Sequence, residues 1–248
     1  MQTSAQGETR TVAPVPVRFV PVWARLTEAL TALRTDGRPV RVLDCGGGSG
    51  TFAVPLAQQG AQVTVVDISA DALATLTRRA AETGVAGSVT AVQGDADNLA
   101  EAIGDDRFDL VLAHDILGAV DSVSRAFDGI ATAVRPGGRL SVVVGNPVFA
   151  VLAKVLSGDL AAALGELRSA GHGFGPPGPD AIRALLPQAG LIIEHVQGVG
   201  VFTDLVPGAA LDLPGNREVL AALETEGATR PPFGEIASRI HLLAHRPA

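Results

Sequence analysis

The stretch Val40 to Thr51 reads V-R-V-L-D-C-G-G-G-S-G-T, and it constrains the chain more than any other. An apolar run (Val40, Val42, Leu43) ends in Asp44 and then in Gly46, Gly47, Gly48 and Gly50, the pattern of a buried parallel strand passing through a tight turn into a helix N-terminus. Glycine suits that junction because the backbone must take positive φ and must let a ligand lie against bare main chain. The free N–H groups that open the following helix add donors. The spacing Asp44-x-Gly46-x-Gly48-x-Gly50 departs from the dinucleotide fingerprint G-x-G-x-x-G, because the third glycine comes one residue early and an acid precedes the first. A pyrophosphate is therefore not the expected ligand.

With 248 residues the chain is long enough for one large α/β domain or two small ones. Basic charge is carried almost wholly by arginine, Lys154 being the only lysine, and the formal net charge of −7 argues against broad, sequence-independent binding of nucleic acid. A local basic patch stays compatible with it. The single cysteine, Cys45, cannot form an intrachain disulfide, and inside the glycine turn it reads as a small side chain that fits rather than a reactive thiol. The longest apolar stretch, Leu140 to Leu156, is interrupted by Gly145, Asn146, Pro147 and Lys154, so it is not read as a membrane span. No apolar signal segment follows Met1, and a cytoplasmic protein with no membrane partner and no metal site is expected.

Residues 1–17 are expected to form a flexible N-terminus and residues 18–248 a single domain with lid insertions at about 146–190 and 202–238. Trp23, Leu26, Leu30 and Leu33 predict a helix ending near Asp36-Gly37, and Thr51 to Gln59 a second one closed by Gly60. Ala61 to Val66 reads as a strand ending in Asp67. A carboxylate at that strand end can accept both ribose hydroxyls of a nucleoside lying across the strand tips. Ser69 reads as a cap for a helix that buries Leu73, Leu76 and Ala80.

A third strand, Val89 to Val92, leads to Gly94-Asp95-Ala96-Asp97, where an acid can take an adenine exocyclic amine while a main-chain N–H meets a ring nitrogen. Asp95 with the Ala96 amide is the preferred pair and Asp97 the competitor. Phe108 to Ala113 is a buried strand with His114 at its tip, on the crevice side of a parallel sheet. After a helix from Val123 to Val134, the turn Arg135-Pro136-Gly137-Gly138 feeds a strand from Arg139 to Val144. Right-handed crossovers make this a Rossmann-like doubly wound sheet. The helical stretch Pro147 to Arg168 and the Gly- and Pro-rich loop Gly171 to Pro179 read as a lid. A short helix (Asp180 to Leu186), a strand (Leu191 to Val201), a helix (Asn216 to Glu226) and a last strand (Arg239 to His245) follow. Slotting that last strand, antiparallel, between the fifth and sixth gives seven strands in the order 3-2-1-4-5-7-6.

The D-x-G-x-G-x-G turn, Asp67, the acid after strand three and the R-P-G-G turn before strand five together resemble class I S-adenosylmethionine (SAM) methyltransferases. More narrowly, the chain is similar to the tRNA 5-carboxymethoxyuridine methyltransferase family, whose members methylate a carboxylate on a wobble uridine. The matching features are Arg18 five residues before Trp23; V-L-D-x-G-G-G-x-G at Val42 to Gly50; His114; Asn146 with a downstream Gly158-Asp159-Leu160; Gly198 to Asp204; Leu223-Glu224; and Ile240-His241. The resemblance implies SAM as cofactor, S-adenosylhomocysteine (SAH) as product, and a cofactor site built from Arg18, Asp44, Gly46, Gly47, Gly48, Asp67, Ile68, the Asp95-Ala96 pair and His114. The chain departs from the family where tRNA would be held. An uncharged glycine loop replaces a lysine-rich run after strand five, and an arginine–tyrosine pair near the C-terminus is matched only by Arg230 and Phe233.

Methyl transfer from SAM asks the protein chiefly to align the partners and exclude water. A carboxylate acceptor needs no general base. A hydroxyl or amine acceptor would need one, for which His114 and His172 are the candidates, and Arg230 is a candidate for orienting a carboxylate. The sequence leaves the acceptor open between tRNA and a small molecule, with a non-catalytic SAM-binding protein as the reading from another class.

Overall fold

The computed structural model describes residues 15–34, 37–169 and 177–248. Of the stretch expected to lack fixed structure, residues 1–14 lie outside the described residues, while Val17–Phe19 forms a 3-10 turn leading into helix α1 (Val20–Leu33). The chain then alternates: β1 (Arg41–Cys45), α2 (Ala53–Gln58), β2 (Gln62–Asp67), α3 (Ala70–Glu82), β3 (Val89–Gln93), α4 (Leu99–Ile103), β4 (Phe108–His114), α5 (Val123–Thr132) and β5 (Val134–Gly145). Two further helices, α6 (Pro147–Leu156) and α7 (Leu160–Ser169), precede α8 (Pro179–Gln188), β6 (Ile192–Val199), α9 (Asn216–Gly227) and β7 (Arg239–His245).

The seven strands form one sheet in the order β3-β2-β1-β4-β5-β7-β6. The pairs among β1 to β5 are parallel, and β7 runs antiparallel to both β5 and β6. Strand alternation assigns the two faces. Leu140, Val142 and Val144 point to the side covered by Phe127 and Ile130 of α5 and by Ile182 and Leu186 of α8. Leu110, Leu112 and Val143 point to the other side, against Val22, Leu26 and Leu30 of α1 and Val54 and Leu56 of α2. Each fully buried side chain of this kind contributes about 1.5–3 kcal/mol. Because the chain leaves β1 toward β2 and β3 and returns at β4, the crossovers part at the carboxyl ends of β1 and β4, and a crevice opens there.

Local sequence explains most boundaries. Ser69 Oγ accepts from the Ala72 N–H at 3.2 Å and caps α3, and Asn146 Oδ1 accepts from the Val148 N–H at 3.1 Å and caps α6. Where boundaries differ from the sequence reading, four of the differences have a visible local cause. Helix α1 ends at Leu33, where Arg34 already has ψ 69°. Strand β6 stops at Val199 because Gly200 takes φ 67°. The stretch from Pro147 is two helices, split where Gly158 takes φ 80°. The R-P-G-G turn interrupts strand β5 instead of preceding it: Phe108 pairs with Val134 and Leu110 with Arg139, so residues 135–138 bulge out, with Gly137 at φ 72°.

Opposite the crevice, the buried Asp109 carboxylate receives Arg38 Nη1 (2.8 Å) and Nη2 (2.7 Å), the Arg41 N–H (2.7 Å) and Arg135 Nε. Burial alone would raise its pKa, but these donors and the Arg135 charge bring it down to about 2. No helix among the described residues is long and apolar enough to cross a membrane.

Candidate functional site

The glycine turn is shaped by the acid that precedes it. A Cβ at Gly47 would lie 2.5 Å from both Cγ and Oδ2 of Asp44, and one at Gly46 would lie 2.8 Å from Ile116 Cδ1, so neither position admits a side chain without displacement. Gly46 and Gly48 also adopt φ of 70° and 52°. Asp44 is buried, its Oδ2 has no hydrogen-bond partner among the described residues, and burial reinforced by the charge of Asp67 pushes its carboxyl up to about 7. An orphaned buried carboxyl beneath a glycine cradle is the structural signature of a place for a cationic ligand group. Burial and the neighbouring Asp44 push the Cys45 thiol up as well, which makes it inert.

Beside the turn lies a cleft of about 240 Å³, lined among others by Gly46, Asp67, Ile68, Asp95 and Ala96. Asp67 Oδ2 accepts from the Gly48 N–H at 2.8 Å and Oδ1 from the Ser69 N–H at 2.9 Å. Each oxygen keeps acceptor capacity for a ligand hydroxyl, and the two bonds fix the carboxylate's orientation. Ile68 projects beside it with 69% of its surface exposed, an apolar wall suited to a base.

The geometry separates the two acids after β3. Asp97 is buried and spends its oxygens on the N–H groups of Asp121 (2.7 Å) and Ser122 (2.9 Å), tying the β3 loop to the start of α5. Asp95 is exposed on the cleft and uses Oδ1 to accept from the Asp97 N–H at 2.9 Å. Ile116 and Ala119, which the sequence reading did not single out, complete the wall with Val120 and Asp121. Their signal was positional, since they directly follow the tip of β4.

Arg18 and His114 do not line this cleft; both lie on the α1 side of the strand tips. Arg18 Nη2 pairs with Asp204 Oδ1 at 3.0 Å, Asp204 Oδ2 lies 3.9 Å from Arg239 Nη1, and Arg239 Nε bonds Asp115 Oδ2 at 2.7 Å. Asp115, directly after β4, is the one described non-glycine residue with positive φ, at 58°. His114 Nε2 bonds Ser141 Oγ at 2.8 Å, its ring meets Phe52 edge to face with centroids 4.6 Å apart, and burial brings its pKa down to about 3. Its Nδ1 is buried with no partner among the described residues. Arg230 stands exposed three residues beyond the end of α9, 3.7 Å from Glu226, and does not line the cleft. His172 lies outside the described residues. No cluster of His, Cys, Asp or Glu suited to a metal ion occurs among the described residues.

The arrangement fits SAM. Asp67 would hold the ribose, the Asp95-Ala96 turn and Ile68 the adenine, and the cradle over Asp44 the positively charged amino-acid portion. Comparison with known proteins supports the same cofactor. The family model described as a methyltransferase domain matches residues 43–142. The tRNA 5-carboxymethoxyuridine methyltransferase of Escherichia coli O157:H7 is 26% identical over 231 residues, covering 91% of this chain and 87% of that protein. The ubiquinone/menaquinone biosynthesis C-methyltransferase of Pseudomonas fluorescens (strain SBW25) is 33% identical over 138 residues, 54% of this chain and 52% of that protein. Among solved structures, magnesium protoporphyrin IX methyltransferase from Synechocystis PCC 6803 with bound SAH shares the fold, with a TM-score of 0.56 and 20% identity over 92% of this chain and 84% of that one. With its strand order, its glycine cradle and this domain match over residues 43–142, the chain has the fold and the cofactor cradle of a SAM-dependent methyltransferase.

Proposed function

We propose that the chain methylates a carboxylate, the carboxymethoxy group of a tRNA uridine. The observation that carries this reading is the reach of the likeness. The similarity to the E. coli tRNA enzyme extends over 231 residues, whereas that to the ubiquinone/menaquinone enzyme spans 138. The cofactor core is common to enzymes with many acceptors, so likeness over the segments beyond it, about 146–190 and 202–238, bears on the acceptor. We infer that these segments cover it.

When bound, SAM supplies an already activated methyl group. The chain's contributions are orientation and exclusion of water. Asp67, braced by Gly48 and Ser69, holds one end of the cofactor, while the packed aromatic pair Phe19 and Phe52, with centroids 5.2 Å apart, keeps water from the tips of β1 and β4. An imidazole whose pKa is about 3 is a weak base, which favours an acceptor that is ionised before it arrives.

A small-molecule acceptor is the second reading, and one observation favours it. Helices α6 and α7 expose Val148, Leu152, Val155, Leu156, Leu160, Leu164 and Leu167, a surface unlike a phosphate-binding one. The test is to incubate the protein with methyl-labelled SAM and, in parallel, tRNA from cells lacking this gene and a small-molecule extract of the same cells. Alkali-labile label in tRNA supports the carboxymethoxy reading. Label confined to the extract rejects it in favour of the second.

A further inference from the structure

A chain of five polar side chains, buried at Gln197, His241 and Ser141 and half-buried at His195 and His114, crosses four adjacent strands. His195 Nε2 meets Gln197 Oε1 at 3.0 Å, Gln197 Nε2 meets His241 Nδ1 at 3.1 Å, His241 Nε2 meets Ser141 Oγ at 2.9 Å, and Ser141 Oγ meets His114 Nε2 at 2.8 Å. The sheet register brings them together: His114 pairs with Val143, Val143 with His241, and His241 with Gln197, so all four stand in one row on one face. Ser141 and His195 stand in the next row, each paired with Leu243. The same face otherwise carries Leu110, Leu112 and Val143 against α1. Polar groups in such surroundings cost free energy that apolar side chains of equal size would avoid, and satisfying one partner at a time does not offset it.

The direction of the chain follows from chemistry. An amide nitrogen only donates and an amide oxygen only accepts. Gln197 Nε2 therefore donates to His241 Nδ1, and the His241 proton sits on Nε2. That N–H points at Ser141 Oγ, and because the one other bond of that oxygen among the described residues is to His114 Nε2, the Ser141 hydroxyl hydrogen is assigned to His114 Nε2. The remaining imidazole proton of His114 is then on Nδ1, the atom that is buried without a partner among the described residues at the carboxyl tip of β4. Every link points the same way.

We propose that Gln197, His241 and Ser141 are positioning residues that lock His114 as an uncharged Nδ1–H donor aimed at a carboxylate oxygen of a bound ligand. In this role His114 is not a general base. The carboxylate comes either from the amino-acid portion of the cofactor or from the acceptor, and the chemistry of recognition is the same for both. The inference does not depend on whether the acceptor is tRNA or a small molecule.

The test uses the full-length protein labelled with ¹⁵N-histidine, whose ring-nitrogen shifts report which atom carries the proton. The expected result is His114 protonated on Nδ1 and His241 on Nε2. A His114 proton on Nε2, or a doubly protonated His114 ring at pH 7, overturns the proposal without any variant. Ser141→Ala should release His114 into a mixture of both tautomers, and Ser141→Thr, which keeps the hydroxyl, should restore the single form. Calorimetry then locates the carboxylate. If Ser141→Ala weakens SAH binding about fivefold, the worth of one ordinary hydrogen bond, while leaving 5′-methylthioadenosine unaffected, the donor serves the cofactor. Unchanged SAH affinity with about fivefold slower methyl transfer to the labelled acceptor fraction assigns it to the acceptor. Unaltered ring shifts, binding and turnover in Ser141→Ala would refute the chain's role.

Discussion

Replacing Asp44 by asparagine should stabilise the ligand-free protein, and increasingly so as pH rises. The Asp44 carboxyl titrates at about 7 in the fold against a usual value of 3.8. The unfolded chain therefore releases this proton first, so ionisation favours unfolding. The penalty is absent below about pH 4, grows between about pH 4 and pH 7, and is constant above. At 1.36 kcal/mol per unit, it amounts to about 2 kcal/mol at pH 5 and about 4 kcal/mol at pH 8. Asparagine never ionises and escapes this term, although its own unsatisfied amide costs about 1–2 kcal/mol at every pH. The diagnostic quantity is the slope: urea unfolding of both proteins without ligand should show the variant gaining about 2–3 kcal/mol on the wild type between pH 5 and pH 8. Saturating SAH should cancel much of that gain, because its ammonium group is expected to pair with the Asp44 carboxylate. A stability difference that is independent of pH would refute the reasoning, since the raised pKa of Asp44, from burial and the charge of Asp67, is the source of the slope.

The same linkage has the opposite sign at Asp109, whose pKa is lowered to about 2. It contributes about 2 kcal/mol that is fully present above about pH 5 and lost as pH falls toward 2, so Asp109→Asn should flatten the acid limb of a stability profile measured by urea unfolding. Asp67→Ala should weaken SAH binding by about 1–3 kcal/mol in calorimetry, through the lost charge-assisted bonds to ribose hydroxyls; an unchanged affinity would reject the cofactor pose. Glu224 is fully buried and accepts from the N–H groups of Val201 (2.9 Å), Phe202 (2.9 Å) and Thr203 (2.7 Å) and from the Thr203 hydroxyl (2.6 Å). Glu224→Gln turns a donor toward these donors and should cost at least about 2 kcal/mol in unfolding free energy. A stability equal to wild type would show that the loop does not need that anchor.

The parts of the site that are local in sequence were readable from it. Asp44 and the glycines, Asp67 at the end of β2 and Asp95 after β3 each follow from an apolar run that ends in a specific turn, and such a run specifies its own strand and direction. The fold order was readable for the same reason, because helices alternating with apolar strands and right-handed crossovers admit few sheets. What lies across the sheet was not readable. His114 finds its partners at Ser141 and, through it, His241, 27 and a further 100 residues away. Arg18 finds Asp204 only because α1 packs over the strand tips beside the loop that Glu224 holds. Asp97 could not be set apart from Asp95 until its oxygens were seen committed to α5. The sequence by itself determined the fold and the cofactor, because both rest on short-range periodicity and turn chemistry. The tertiary structure alone decided which carboxyls and imidazoles are buried and which polar groups meet, because these depend on which groups from distant strands share a dry interior.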